Sequence, residues 1–246
     1  MSAADELFII TMARQMQDSD VLHIGASQFD LWQAAEVARR LHAPNLRMVA
    51  AGTYFLSPGI RGGADVMASR TYSRDVIAAR QASFVQSRVF NDLHRTRVSF
   101  PGAMQVDVHG NANLIAIEAN GRVIRGPGSG GLPTLTSHSE RFFIALPRHD
   151  ERALVEKVHR ISVAGNRKLR ESYGLPPCSL QQVITPIASF EQGWDGLELI
   201  ETAPGIDSDE VQRRTGFTIV RHADCRERPP PTTEESSALA DVRAGR

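Results

Sequence analysis

Cysteine is nearly absent from this chain of 246 residues, and the two present, Cys178 and Cys225, are too few for a disulfide framework or a zinc site. Each is expected to be a free thiol, in keeping with a reducing cytoplasm. Lysine is as scarce, at Lys157 and Lys168 only, and arginine supplies the rest of the positive charge. That skew reads as a compositional bias without functional meaning. An excess of either sign of charge is missing too. Lys+Arg at 28 equals Asp+Glu at 28, so no basic excess exists to neutralise phosphates, and no nucleic-acid partner is expected. No apolar run approaches the length needed to span a membrane, and Asp5 and Glu6 stand where a signal peptide would carry basic residues. Low aromatic content, 6%, sits beside 41% hydrophobic and 23% charged residues, an ordinary globular balance that excludes disorder.

What is present reads as one α/β domain at 1–222 followed by a polar tail at 223–246, the tail holding Pro229-Pro230-Pro231 and one short helix near 233–242. Residues 4–17 set Ile9, Met12, Ala13 and Met16 on one helical stripe, which predicts an amphipathic helix. A short buried strand follows at 21–25. Next comes a helix at 29–42 with Leu31, Ala34, Ala35, Ala38 and Leu41 inward and Pro44 beyond its end. Another strand runs from Leu46 to Ala51. This alternation is the rhythm of a mostly parallel central sheet flanked by helices. Further along, a helix is expected around 85–95 and strands at 103–108, 112–117, 141–147, 158–163, 182–187 and 197–202, with a helix near 207–214. The Pro- and Gly-rich stretch 57–63 reads as a loop at a strand end, the usual carrier of function in such folds.

Four segments in order resemble one family. Gly102-Ala103-Met104-Gln105-Val106-Asp107-Val108-His109-Gly110-Asn111-Ala112-Asn113 is similar to the "GAxQID-x-x-GN-x-N" segment of the β subunits of glutaconate-type, family I CoA transferases. The run Gly126-Pro127-Gly128-Ser129-Gly130-Gly131 resembles the glycine-rich run that follows it there. Pro204-Gly205, Val211 and Thr215-Gly216-Phe217 match the family's closing pattern, with Ala203 where histidine is usual. His42-Ala43-Pro44-Asn45-Leu46, then Val49-Ala50-Ala51-Gly52, resembles the pair of motifs at the family's catalytic turn. The matches span about residue 5 to 221, and their order makes them specific where a lone glycine-rich run is weak.

The resemblance implies the CoA-transferase-like α/β fold, similar to folds that also serve as sensors of sugar phosphates, and an α subunit of the same fold as partner in a heterodimer or heterotetramer. It also implies a CoA thioester as substrate, with no bound cofactor or metal. In the family's transfer reaction a β-subunit glutamate attacks the thioester. At that position this chain has Ala50, whose methyl group cannot be a nucleophile. The nearest acidic residue beyond the turn is Asp65, past two glycines. Relatives that need no covalent carboxylate open β-oxo rings in steroid breakdown or decarboxylate glutaconyl-type thioesters, both through an enolate. Transfer of the orthodox kind and a non-catalytic or ligand-binding subunit remain the alternatives.

Candidate site residues follow from the same segments. Gln105 offers an amide to a carbonyl oxygen, and Gly128, Ser129, Gly130 and Gly131 offer backbone amides as an oxyanion wall, or merely a turn. Asn111 and Asn113 either touch substrate or close a turn through their own backbone bonds. Gly52 belongs to the catalytic turn, and Arg61 suits a carboxylate or phosphate. His109 and His138 are the acid/base candidates on this chain, with a glutamate of the partner as the competing source.

Overall fold

The computed structural model describes residues 3–25, 28–50, 54–56, 76–79, 97–119, 121–176 and 179–245. Helix α1 (Ala3–Arg14) begins with Asp5 and Glu6 and ends with Arg14, charges that complement its dipole. Its apolar residues do not form a single stripe. Every residue from Leu7 to Ala13 is buried, because α1 packs on α2 (Phe29–Leu41) and also reaches the sheet. Strand β1 (Val21–Ile24) lies between β2 (Arg47–Ala50) and β5 (Arg97–Ser99), parallel to both, with Ile24 in register with Ala50 and His23 with Ser99.

The main sheet has ten strands in the order β15-β14-β13-β12-β10-β5-β1-β2-β3-β4. Its remaining members are β3 (Tyr54–Leu56), β4 (Val76–Ala79), β10 (Arg141–Ala145), β12 (Leu180–Ile184), β13 (Ala188–Gln192), β14 (Leu197–Thr202) and β15 (Val220–Glu227). The five central strands, β12 through β2, run parallel. Antiparallel pairs extend the sheet on both sides. The central strands are covered on both faces, which explains the unbroken apolar run Phe142 to Leu146. Phe143 and Ala145 face the cluster built with α1 and α2, whereas Phe142 and Ile144 face a second cluster containing Val106, Leu154, Phe190 and Phe217. Three short strands lie on that second side, β6 (Gln105–Asp107) between β11 (Leu154–Val155) and β7 (Ala112–Asn113). A separate hairpin pairs β8 (Ala116–Ala119) with β9 (Arg122–Arg125). Four further helices complete the described elements: α3 (Leu132–His138), α4 (Arg167–Ser172), α5 (Ser208–Arg213) and α6 (Thr233–Ala244).

Three sequence expectations change. Residues 158–163 are not a strand: their backbone is irregular, with one bridge from Val163 to Ala112. Strands β3, β4, β5, β9, β11, β13 and β15 and helices α3 and α4 are present where no such element was expected. The short helix expected near 233–242 is present as α6, but the segment from 223 on does not stand apart as a tail, since it also contains the end of β15 and its Ala238, Leu239 and Val242 join the core beside α2. The helix expected around 85–95 lies outside the described residues.

Candidate functional site

The carboxyl ends of β1, β2, β5 and β10 all open on one edge of the sheet, and the order of strands reverses between β1 and β5. Open α/β sheets place ligands at such a switch point. Ala50 closes β2 on this edge, so the position that the sequence resemblance matches to a glutamate stands where a ligand is expected. Gly52 and Arg61 lie outside the described residues. A cleft of about 170 Å³ opens on the same edge, between α1, the start of α2 and the ends of β5 and β10. Phe8, Met12, Phe29 and Leu31 line it, with Asp30 as its carboxylate. Burial, and then the nearby Asp5, hold the Asp30 carboxyl above the ordinary range against the opposing pull of Arg243. Asp30 lies outside the four segments that carry the family resemblance, so the motifs do not point to it.

From the end of β5 the chain passes through Gly102 into the β6–β7 hairpin. Asp107 ties the turn, accepting from the amides of His109 at 3.0 Å and Asn111 at 2.9 Å and from Asn111 Nδ2 at 3.2 Å. Asn111 Oδ1 in turn accepts from the amides of Gly165 and Asn166, both at 3.2 Å. The Asn111 side chain is therefore a rivet between the hairpin and the segment before α4. Gly110 at the turn has φ +78°, and a Cβ there would press on Leu180, so glycine is required twice over.

At the other end of the hairpin Asn113 holds the following turn. Its Oδ1 accepts from the Ile115 amide at 3.0 Å, and its Nδ2 donates to the Ala116 carbonyl at 2.8 Å and to Gln105 Oε1 at 3.1 Å. Gln105 and Asn113 are both buried and face each other across the β6–β7 pair. Gln105 Nε2 bonds to nothing among the described residues. A second contact to Gln105 Oε1 comes from His159 Nδ1 at 3.3 Å. His159 is exposed and sits in the irregular segment 158–163, where the sequence predicts a strand.

The glycine-rich run adjoins this cluster. Gly126 and Gly128 donate to the carbonyls of Ile115, at 2.8 Å, and Leu114, at 3.0 Å. Gly126 approaches so closely that a Cβ would collide with Leu114 O and Met104 Sδ. Gly128 and Gly130 adopt φ of 85° and 50°. The Gly128 amide is therefore occupied, whereas those of Ser129, Gly130 and Gly131 bond to no described residue. The structure thus brings together Gln105, Asn113 and the glycine-rich run, and adds His159. It does not bring His109 there. That histidine lies at the hairpin tip, where its Nδ1 donates to the Asp195 carbonyl at 3.0 Å. His138 closes α3.

The closing motif has a structural part. Thr215 Oγ1 lies 3.0 Å from His149 Nε2, and Thr185 Oγ1 lies 2.9 Å from Nδ1 of the same ring. Burial first, with Arg214 and Arg228 nearby, holds the His149 imidazole at about 4, neutral at physiological pH. No group of three or more metal-ligating side chains occurs among the described residues, and none of their helices is long and apolar enough to cross a membrane.

No family model matches the chain, and no curated protein matches it in sequence. Solved structures do match, over nearly the full length. The AibA/AibB decarboxylase superposes with a TM-score of 0.78 at 22% identity, covering 98% of this chain and 94% of that one. Glutaconate coenzyme A-transferase from Acidaminococcus fermentans gives 0.82 at 20% identity, over 98% and 93%. Rhodococcus jostii IpdAB gives 0.75 at 19%, over 99% and 96%. The chain has the α/β fold of the family I CoA transferases. Among proteins of that fold, it is similar in full length to a decarboxylase and to a transferase alike.

Proposed function

We propose that this chain is the β-type subunit of a two-chain enzyme that processes a CoA thioester through an enolate, by hydrolysing a C–C bond or by decarboxylation, without a covalent intermediate on this subunit. The observation that carries the reading is Ala50 at the end of β2, on the ligand edge of the sheet, in place of the glutamate that transfer requires. An enolate needs donors for its oxygen and a group to move a proton. Gln105 Nε2 and the amides of Ser129, Gly130 and Gly131 are the donors this chain offers. Fold similarity to the AibA/AibB decarboxylase supports the reading. The names AibA/AibB and IpdAB each join an A part to a B part, which supports a second chain of the same fold as partner. Orthodox transfer draws on the likeness to glutaconate coenzyme A-transferase but has no carboxylate at position 50 to proceed through. Cys225, a free thiol, accords with a cytoplasmic setting.

The test is trapping during turnover of the reconstituted two-chain enzyme with β-oxo acyl-CoA and glutaconyl-CoA. Borohydride or hydroxylamine is expected to leave this subunit unmodified while product forms. A CoA adduct or a trapped acyl group on this subunit overturns the proposal in favour of transfer.

A further inference from the structure

We propose that His159 is the proton-transferring residue this chain brings to the site, and that Asn113 and Gln105 are positioning residues that fix its tautomer with Nε2 as the free base. The proposal rests on the enolate reading above. Its geometric part begins with backbone groups, which cannot exchange donor and acceptor roles. The Ile115 amide donates to one end of the Asn113 carboxamide at 3.0 Å, and the Ala116 carbonyl accepts from the other at 2.8 Å. Oxygen and nitrogen of that side chain are thereby assigned. The remaining Nδ2 proton points at Gln105, 3.1 Å away, so the atom it meets is the oxygen Oε1. His159 Nδ1 faces the same oxygen at 3.3 Å, and an acceptor satisfies only an N–H. In the neutral ring Nδ1 therefore carries the proton and Nε2 the lone pair.

Exposure separates the two halves of this relay. Asn113 is 0% and Gln105 4% exposed, so water does not compete for the amide contacts that set the tautomer. The imidazole itself is exposed, and its Nε2 bonds to no described residue. A single buried carboxamide thus orients a base through its oxygen while its nitrogen, Gln105 Nε2, is left to donate elsewhere. Enolisation of a thioester asks for that combination, a donor to the oxygen and a base for the neighbouring carbon. In the step proposed, the electron pair of the α-C–H bond moves into the bond to the carbonyl carbon, the carbonyl π pair moves to oxygen, and the proton goes to Nε2. The imidazolium so formed keeps its Nδ1–H on Gln105 Oε1 and later returns the other proton to carbon. This exchange consumes no reactant and is the reverse of the α-protonation that would end decarboxylation or C–C hydrolysis, the latter consuming one water. Sequence could not single out His159, because 54 residues separate it from Gln105.

Two measurements on the full-length chain with its partner test this. In the ¹⁵N-histidine-labelled complex, two-bond proton–nitrogen spectra are expected to show His159 protonated at Nδ1 and bare at Nε2, with the preference lost in Asn113→Ala and in Gln105→Met. The reverse tautomer in the unaltered complex overturns the positioning relay. The second measurement is α-proton exchange into deuterium oxide with butyryl-, glutaryl- and cyclohexanecarbonyl-CoA. His159→Gln is expected to slow exchange about 100-fold or more while leaving thioester Kd within about twofold, as for removal of a group that acts in the step and not in binding. Exchange that survives His159→Gln overturns this proposal alone. If the unaltered complex neither binds nor exchanges any of these thioesters, the CoA reading itself falls and the role of His159 with it.

Discussion

His149 shows how far one ring can set the behaviour of the folded chain. Its nitrogens are enclosed by Thr185 and Thr215 and its face stacks near Phe190, with 6.1 Å between ring centroids. The folded imidazole is held at about 4 against an ordinary 6.5, so between these values the unfolded chain binds the proton and the folded chain does not. Stability from this group is complete above 6.5 and is lost as the pH falls toward 4. Over pH 7 to 5 the linkage amounts to about 2 kcal/mol. Urea unfolding at the two pH values checks it: the native chain is expected to lose about that much more than His149→Gln does. Equal losses in the two proteins would remove His149 as the cause. Thr215 belongs to a motif that the sequence could align but not interpret, since its partner on β12's carboxyl side, Thr185, meets it only through the folded ring.

The C-terminal element carries the largest revision of the sequence reading. Proline, threonine and glutamate near 229–235 have the composition of a tail, yet Thr232 and Glu235 form a capping box that starts α6. The same Glu235 takes both Nε and Nη2 of Arg14, at 2.8 and 2.7 Å, joining the last helix to the first. That guanidinium is the largest cause holding the Glu235 carboxyl below its usual range. Leu239 is buried in the cluster of α1 and α2, so α6 is part of the fold. Leu239→Ala is expected to cost about 3 kcal/mol in urea or thermal unfolding, and a cost within about 0.5 kcal/mol would return the segment to the status of a tail. Elements with a clean period were legible: α2, β1, β2 and β10 lie where the apolar residues predict, whereas the central strand β5 has no counterpart among the expected strands. Residues 158–163 were not, although Val158, Ile161 and Val163 give them the β-branched composition of a strand. Tertiary bonds override that pattern, as Ser162 Oγ accepts from the Leu114 amide at 2.9 Å and the Val158 amide turns toward Asp107. The site divides in the same way. Gln105 and Asn113 were readable because a motif carries them, and His159 was not because only the turn of this irregular segment delivers it.

Across the whole molecule, one sheet separates two apolar clusters that share its strands. Phe143 and Ala145 of β10 belong to the cluster under α1, α2 and α6, while Phe142 and Ile144 belong to the cluster under β6, β7 and β11. Stripping the helical layer from β10 exposes one side of a strand whose other side is still packed, and the strand loses the covering that parallel sheets require on both faces. Each layer is therefore stable only with the other in place. One cooperative transition is expected, in spite of a length at which intermediates are common. The two tryptophans make it measurable, because Trp32 is buried in the helical layer whereas Trp194 is 73% exposed on the far hairpin. In a Trp194→Phe background, Trp32 fluorescence reports the helical layer and far-ultraviolet circular dichroism reports the whole. Coincident urea midpoints are the expected result. A fluorescence midpoint at lower urea would mean that α1, α2 and α6 detach first, leaving the sheet and the Gln105 cluster standing as a separate unit.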